Sequence, residues 1–322
     1  MSVQDPQSQP WPGDRAILFV HGIGNAQPGD YTPLVQQLQA ILGAEAQSIA
    51  IYFLYYDVID QAVADKIHAN VLFTQLVNVI RQNYDGSALG NVAASFGGDV
   101  IWPVLVAEAR LAIRTALVAQ LLQITRDGTS SGVRTNDQRV SIIAHSMGNF
   151  HTYEALSYAA ATPTSGLSPA SSGFVLDNLI MMASPVQLIR YVGTALGGAV
   201  PQQSTIYSVS RPSLDIPSET TPSGIVVPCA RRTVAITGNL DPVGGYLLRK
   251  QLDWAYMKLP GQTTFIDQEQ LASVNGSESL TLVNILQSAL QNGGPPTITP
   301  NNPHDWGQYV QRHAADLKGW LA

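Results

Sequence analysis

The chain has 322 residues, enough for one large α/β domain or two small ones. With 45% apolar residues it can bury a sizeable core, and with only 12% charged residues and a net charge of −6 it lacks the basic stripe of a nucleic-acid binder. Cys229 is the single cysteine, which excludes an intrachain disulfide and a CxxC redox or zinc site.

Residues 1–14 read as a loose polar lead-in. They lack the basic and apolar regions of a secretory signal, so a cytoplasmic location is expected, with leaderless export left open. No uninterrupted apolar run approaches about 18 residues, so no stable membrane insertion is expected. The first strand is predicted at Ala16–Val20, a continuous apolar run of the kind buried on both faces of a parallel sheet. A Gly/Asn/Pro loop follows, then a helix from Thr32 to Leu42 and a second strand at Ser48–Tyr55. Residues 58–128 form a long helical, apolar insertion. Within it Val100–Leu122 shows helical spacing with Glu108, Arg110 and Arg114 on one side, as expected of a core helix; a lipid-surface helix would need more basic residues than these two.

Further strands are predicted at Val140–Ala144, Leu179–Met182, Thr233–Thr237 and Thr263–Ile266, with a helix at Asn149–Ala159 and another at Asp305–Leu321. Residues 201–230, rich in Pro, Ser and Thr, read as a long loop or small cap. Strands alternating with helices predict an α/β fold: a doubly wound, mostly parallel sheet of about six strands in a single domain over 1–322 with a helical insertion.

The stretch Arg139–Phe150, RVSIIAHSMGNF, places a serine where a buried strand turns into a helix, between small residues Ala144 and Gly148. Strand, then small-x-Ser-x-Gly, then helix is the pattern of a nucleophile elbow; a surface-turn serine leaves the small residues unexplained. Ser146 is therefore the candidate nucleophile. A serine hydroxyl needs a histidine base oriented by a carboxylate, in the chain order Ser, Asp/Glu, His. Asp241 lies in NLDPVGG, directly past the predicted strand Thr233–Thr237, and is the candidate acid; its alternative is an ordinary Asp-Pro turn. Of six histidines only His304 and His313 follow it. His304, at the junction of a Pro/Gly-rich stretch and the last helix, is the candidate base, with His313 in reserve. His145 and His151 lack the i, i+4 spacing of metal ligands, and His145 reads as a packed neighbour of the turn. The oxyanion donors are assigned to the backbone N–H groups of Met147 and of Ile23 in the HGIGN loop. A phosphate loop does not fit there, since neither GxGxxG nor GK[ST] is matched.

The set HGIGN, AHSMG, NLDPVGG and NPHDW, in this order, resembles the α/β-hydrolase superfamily of serine esterases and lipases. The elbow and HGIG loop resemble those of small bacterial lipases without a large cap. Gly98-Asp99-Val100 and Asp241-Pro242-Val243 resemble a group of bacterial hydrolases with a Gly-Asp-Val helix opening and an Asp-Pro-Val acid loop. The similarity runs over about residues 16–315 and is dense at the motifs. Ala144 stands where the family pattern has glycine, and the short lead-in implies that the two leading antiparallel strands of larger members are missing. The resemblance implies Ser146 as nucleophile, Asp241 as acid, His304 as base, and Ile23 and Met147 as oxyanion donors. It implies hydrolysis of a small-molecule carboxylic ester with no cofactor, and the low charge and the apolar insertion point to a hydrophobic acyl or aryl pocket. An acyltransferase, an amidase and an inactive binding module on the same fold are the alternatives, and the oligomeric state is left open. Lid candidates are residues 201–230 and 245–261.

Overall fold

A computed structural model of the chain describes residues 6–22, 29, 31–56, 107–184, 218–220, 222–224, 226–238, 263–268 and 306–322. Six strands form one sheet: β1 (Arg15–Val20), β2 (Ile49–Leu54), β3 (Arg139–His145), β4 (Leu176–Met182), β7 (Ala230–Gly238) and β8 (Thr263–Gln268). Their order is β2-β1-β3-β4-β7-β8, and every pairing is parallel. Two short strands, β5 (Ser218–Thr220) and β6 (Val226–Pro228), pair antiparallel as a separate hairpin in the region read as a loop or cap.

Each central strand is apolar on both faces because helices cover both. On one side Leu18, Ile142, Ala144 and Leu179 pack with α2 (Ala107–Ser130) and α3 (Met147–Ala161). On the other side the intervening residues Ile17, Phe19, Ile143 and Ile180 pack with α1 (Thr32–Leu42), α4 (Trp306–Arg312) and α5 (Ala314–Leu321). The alternation is the period of two of a strand, and each such aliphatic side chain contributes about 1.5–3 kcal/mol on full burial. The sheet is therefore doubly wound, as the alternation of elements in the sequence predicts.

The helix α1 buries Leu34, Leu38 and Leu42, one face at i, i+4 and i+8, and stops at Gly43, whose φ of 62° is costly for any residue with a Cβ. The described part of the insertion, α2, packs on α3 as a core helix. Arg110 faces the buried Glu154 at 3.7 Å, and the Arg114 guanidinium lies 4.2 Å from the centre of the Tyr158 ring. Both arginines of this stretch thus meet protein groups.

Two expectations fail. The lead-in is not loose over residues 7–11. Gln7 exchanges bonds with Gln120, its N–H donating to Oε1 at 2.8 Å and its carbonyl accepting from Nε2 at 3.0 Å. Ser8 Oγ and the Gln9 N–H donate to the two oxygens of Asp127, and the Trp11 indole N–H donates to Tyr52 Oη. The Phe53 N–H donates to Gln7 Oε1 at 2.9 Å and Gln9 Nε2 donates to the Ile51 carbonyl, so side chains occupy open ladder positions of the edge strand β2. Nor is the C-terminal helix continuous. It breaks at His313 (φ −101°, ψ 27°) into α4 and α5, with His313 Nδ1 3.0 Å from Asp316 Oδ2.

Candidate active site

In a parallel sheet of this order, the chain leaves β1 toward one edge and β3 toward the other. The crevice at their carboxyl ends is where ligands bind in such sheets. Val20 pairs with Ala144, so β1 and β3 end level with one another. The next residues, His21-Gly22 on one side and His145-Ser146 on the other, face each other across that crevice.

Ser146 stands between β3 and α3 with φ 51° and ψ −125°. This is the first central position of a type II′ turn, normally glycine, and Ser146 and Ala183 are the non-glycine residues with positive φ among the described residues. The turn is held from several sides. The Ser146 N–H donates to the Met182 carbonyl on β4 at 3.0 Å. Asn149 Nδ2 donates to the Ser146 carbonyl at 2.9 Å and to the Met182 carbonyl at 2.8 Å. Ser146 is the N-cap residue of α3, yet its hydroxyl makes no capping bond to the first turn, so the commonest structural use of a serine at this position is absent. The 15-residue helix that starts at Met147 places its positive end beside Ser146.

Two glycines make this packing possible. A Cβ on Gly148 would run into the Val20 and His21 carbonyls. The close approach that requires a small residue at 148 is therefore to the end of β1, and not, as the elbow pattern suggests, only between β3 and the helix that follows it. A Cβ on Gly22 would lie 2.6 Å from Ser146 Cβ and 3.2 Å from its Oγ, so Gly22 touches the serine side chain directly.

The histidines around the turn are packed. His145 stacks on Trp306, with ring centres 5.3 Å apart at 13°. His21 stacks on Tyr56 at 4.2 Å and 3°, and its Nδ1 lies 2.5 Å from the Gly22 carbonyl. Burial pushes its pKa down to about 4, against the smaller raising effect of the Gly22 bond. His151, wholly buried beside Tyr56, is pushed down to about 3 by burial and then by the neighbouring His21, and its Nε2 has no hydrogen-bond partner. Both rings are neutral near pH 7.

Of the sequence-predicted site residues, the described ones are Ser146 and Met147, adjacent at the start of α3. Ile23, Asp241 and His304 lie outside the described residues. Asn149 and Tyr56 join the site without a mark in the sequence. An asparagine three residues after the serine and a tyrosine two residues past a strand carry no periodicity or motif that singles them out. Among the described residues no group of three His, Cys, Asp or Glu side chains is arranged to hold a metal ion, and no helix is long and apolar enough to cross a membrane.

No model of a known protein family matches the sequence, and no curated protein matches it. Among solved structures, an α/β serine hydrolase without a lid from Xanthomonas campestris is similar over 92% of this chain and 88% of its own, at 11% identity and a TM-score of 0.30.

Proposed function

We propose that the protein is a serine hydrolase of small carboxylic esters, with Ser146 as nucleophile. The observation that carries the reading is the backbone of Ser146. A serine held at φ 51° and ψ −125°, at the carboxyl edge of a parallel sheet and against a glycine of the neighbouring loop, is strained for no evident structural return.

In this reading Ser146 Oγ forms a bond to the ester carbonyl carbon as its proton passes to His304. The carbonyl electron pair moves onto oxygen, where the Ile23 and Met147 N–H groups stabilise it, each such donor lowering the barrier by about 3 kcal/mol. Asp241 holds the imidazole tautomer and its charged form. Collapse breaks the bond to the alcohol oxygen, which takes the proton back from His304, and water repeats the cycle on the acyl-enzyme. The proposed steps use no cofactor.

Chain positions support the partners. Asp241 is three residues along the chain from Gly238, the last residue of β7. His304 is two residues before Trp306, whose ring stacks on His145 beside Ser146. A hydrophobic substrate suits the surroundings: Tyr31, Phe53, Tyr55 and Trp306 form one connected aromatic cluster beside His21 and His145.

The test is turnover of a chain-length series of p-nitrophenyl esters, with stoichiometric labelling by a fluorophosphonate. Wild type should hydrolyse members of the series and label on Ser146, and Ser146→Ala should do neither while keeping its fold. Turnover surviving in Ser146→Ala, or label on another residue, would overturn the assignment.

A further inference from the structure

Two hydrogen-bond donors converge on one carbonyl beside Ser146. Tyr56 Oη lies 2.7 Å from the Gly22 oxygen and 3.0 Å from the His21 oxygen, so its single proton is shared, with the shorter bond to Gly22. His21 supplies the second donor. The Tyr56 backbone N–H points at His21 Nε2 at 3.4 Å, which leaves the proton of the neutral ring on Nδ1, 2.5 Å from the same Gly22 oxygen. Tyr56 is 1% exposed and His21 3%, and their rings stack at 4.2 Å. A carbonyl with both lone pairs occupied by buried donors is fixed in direction.

The Gly22 carbonyl belongs to the same planar, trans peptide as the N–H of the next residue, and in such a unit C=O and N–H point opposite ways. We propose that Tyr56, assisted by His21, is a positioning residue for ester hydrolysis: by holding the Gly22 carbonyl it sets the direction of the peptide N–H used as oxyanion donor. This rests on the serine-hydrolase reading above. The two donors also polarise that peptide, since hydrogen bonds in series strengthen one another, so the N–H becomes a better donor as well as a better-aimed one. Gly22 itself lacks the side chain that would strike Ser146, which keeps this peptide against the nucleophile.

The experiment compares Tyr56→Phe with Tyr52→Phe under steady-state ester hydrolysis. Tyr52 is equally buried, but its hydroxyl donates to Asp127 on α2 and not to the Gly22 carbonyl. Removing one oxyanion donor lowers kcat about 10²–10³-fold, so a donor left in place but loosely aimed should lower it about 10–100-fold with KM within about twofold. Tyr52→Phe should lose stability without that loss of kcat. A second pair reads the same carbonyl from the other donor: His21→Asn keeps an N–H near the place of Nδ1, His21→Gln near that of Nε2, and the asparagine variant should turn over at least about fivefold faster. Wild-type kcat in folded Tyr56→Phe, or equal kcat in the two His21 variants, overturns the proposal. Ser146→Ala run alongside separates the two ideas: if it is inactive and Tyr56→Phe is not impaired, the positioning role alone falls; if it remains active, the assignment of Ser146 as nucleophile falls.

Discussion

Ser146→Gly should make the protein more stable than Ser146→Ala while both are inactive. A residue with a Cβ at φ 51° and ψ −125° occupies a conformation that costs of order 1–3 kcal/mol. Alanine keeps that cost and removes the hydroxyl, so it reports the hydroxyl alone. Glycine removes both, and gives up about 0.5–1 kcal/mol through the greater freedom of the unfolded chain. The net advantage of glycine over alanine is then about 1 kcal/mol. Unfolding entropy is about 2.1 cal/mol/K per residue, so for a chain of 322 residues 1 kcal/mol moves Tm by about 1.5 °C. Paired thermal melts, backed by urea midpoints, resolve a difference of that size. If Ser146→Gly melts at or below Ser146→Ala, the turn is not strained, and the observation on which the functional reading stands is lost.

Gly148→Ala should destabilise by about 3 kcal/mol, the upper end for overpacking, because its Cβ would meet the backbone oxygens of Val20 and His21 and neither can swing aside; a urea midpoint equal to wild type would refute the packing argument. Acid should weaken the fold through the two buried imidazoles. Their native pKa values, about 4 for His21 and about 3 for His151, lie below the unfolded value of 6.5, so the unfolded chain binds more protons and stability falls as pH drops from about 6.5 toward those values. At pH 4.5 each ring accounts for roughly 2.5 kcal/mol of that loss. His151→Phe, which also removes the unpartnered Nε2, should shrink the difference in urea stability between pH 7.5 and 4.5 by about that amount, and an unchanged difference would contradict the assignment.

The sheet was legible because its strands are short apolar runs set off by polar residues. All six predicted strands overlap the observed ones, with ends shifted by at most three residues, and α1 coincides with its prediction. The turn at Ser146 was legible for a related reason: a serine at a strand end needs small residues on both sides only where backbones crowd against it, as Gly148 does against β1. What the sequence hid are interactions between polar side chains far apart in the chain. Gln7 and Gln120 are 113 residues apart, and nothing in either neighbourhood announces the other. Tyr56 was hidden likewise, since a hydroxyl that holds a backbone carbonyl leaves no repeat or spacing. The break at His313 was missed because the pattern on both sides of it is helical, with no proline or glycine at the bend to mark it. Asp241, His304 and Ile23, legible as motif residues, lie outside the described residues.

The segment Gln7–Trp11 has a consequence for how the chain matures. Its residues leave the ribosome 113–119 residues ahead of Gln120 and Asp127, whose side chains hold them. Until then the outer ladder of β2 is bare, with the carbonyl and amide positions later filled by Gln9 and Gln7 open to any extended neighbour. Closure of the seam over β2 therefore waits on the synthesis of α2, and an exposed strand edge is the kind of surface on which chains self-associate.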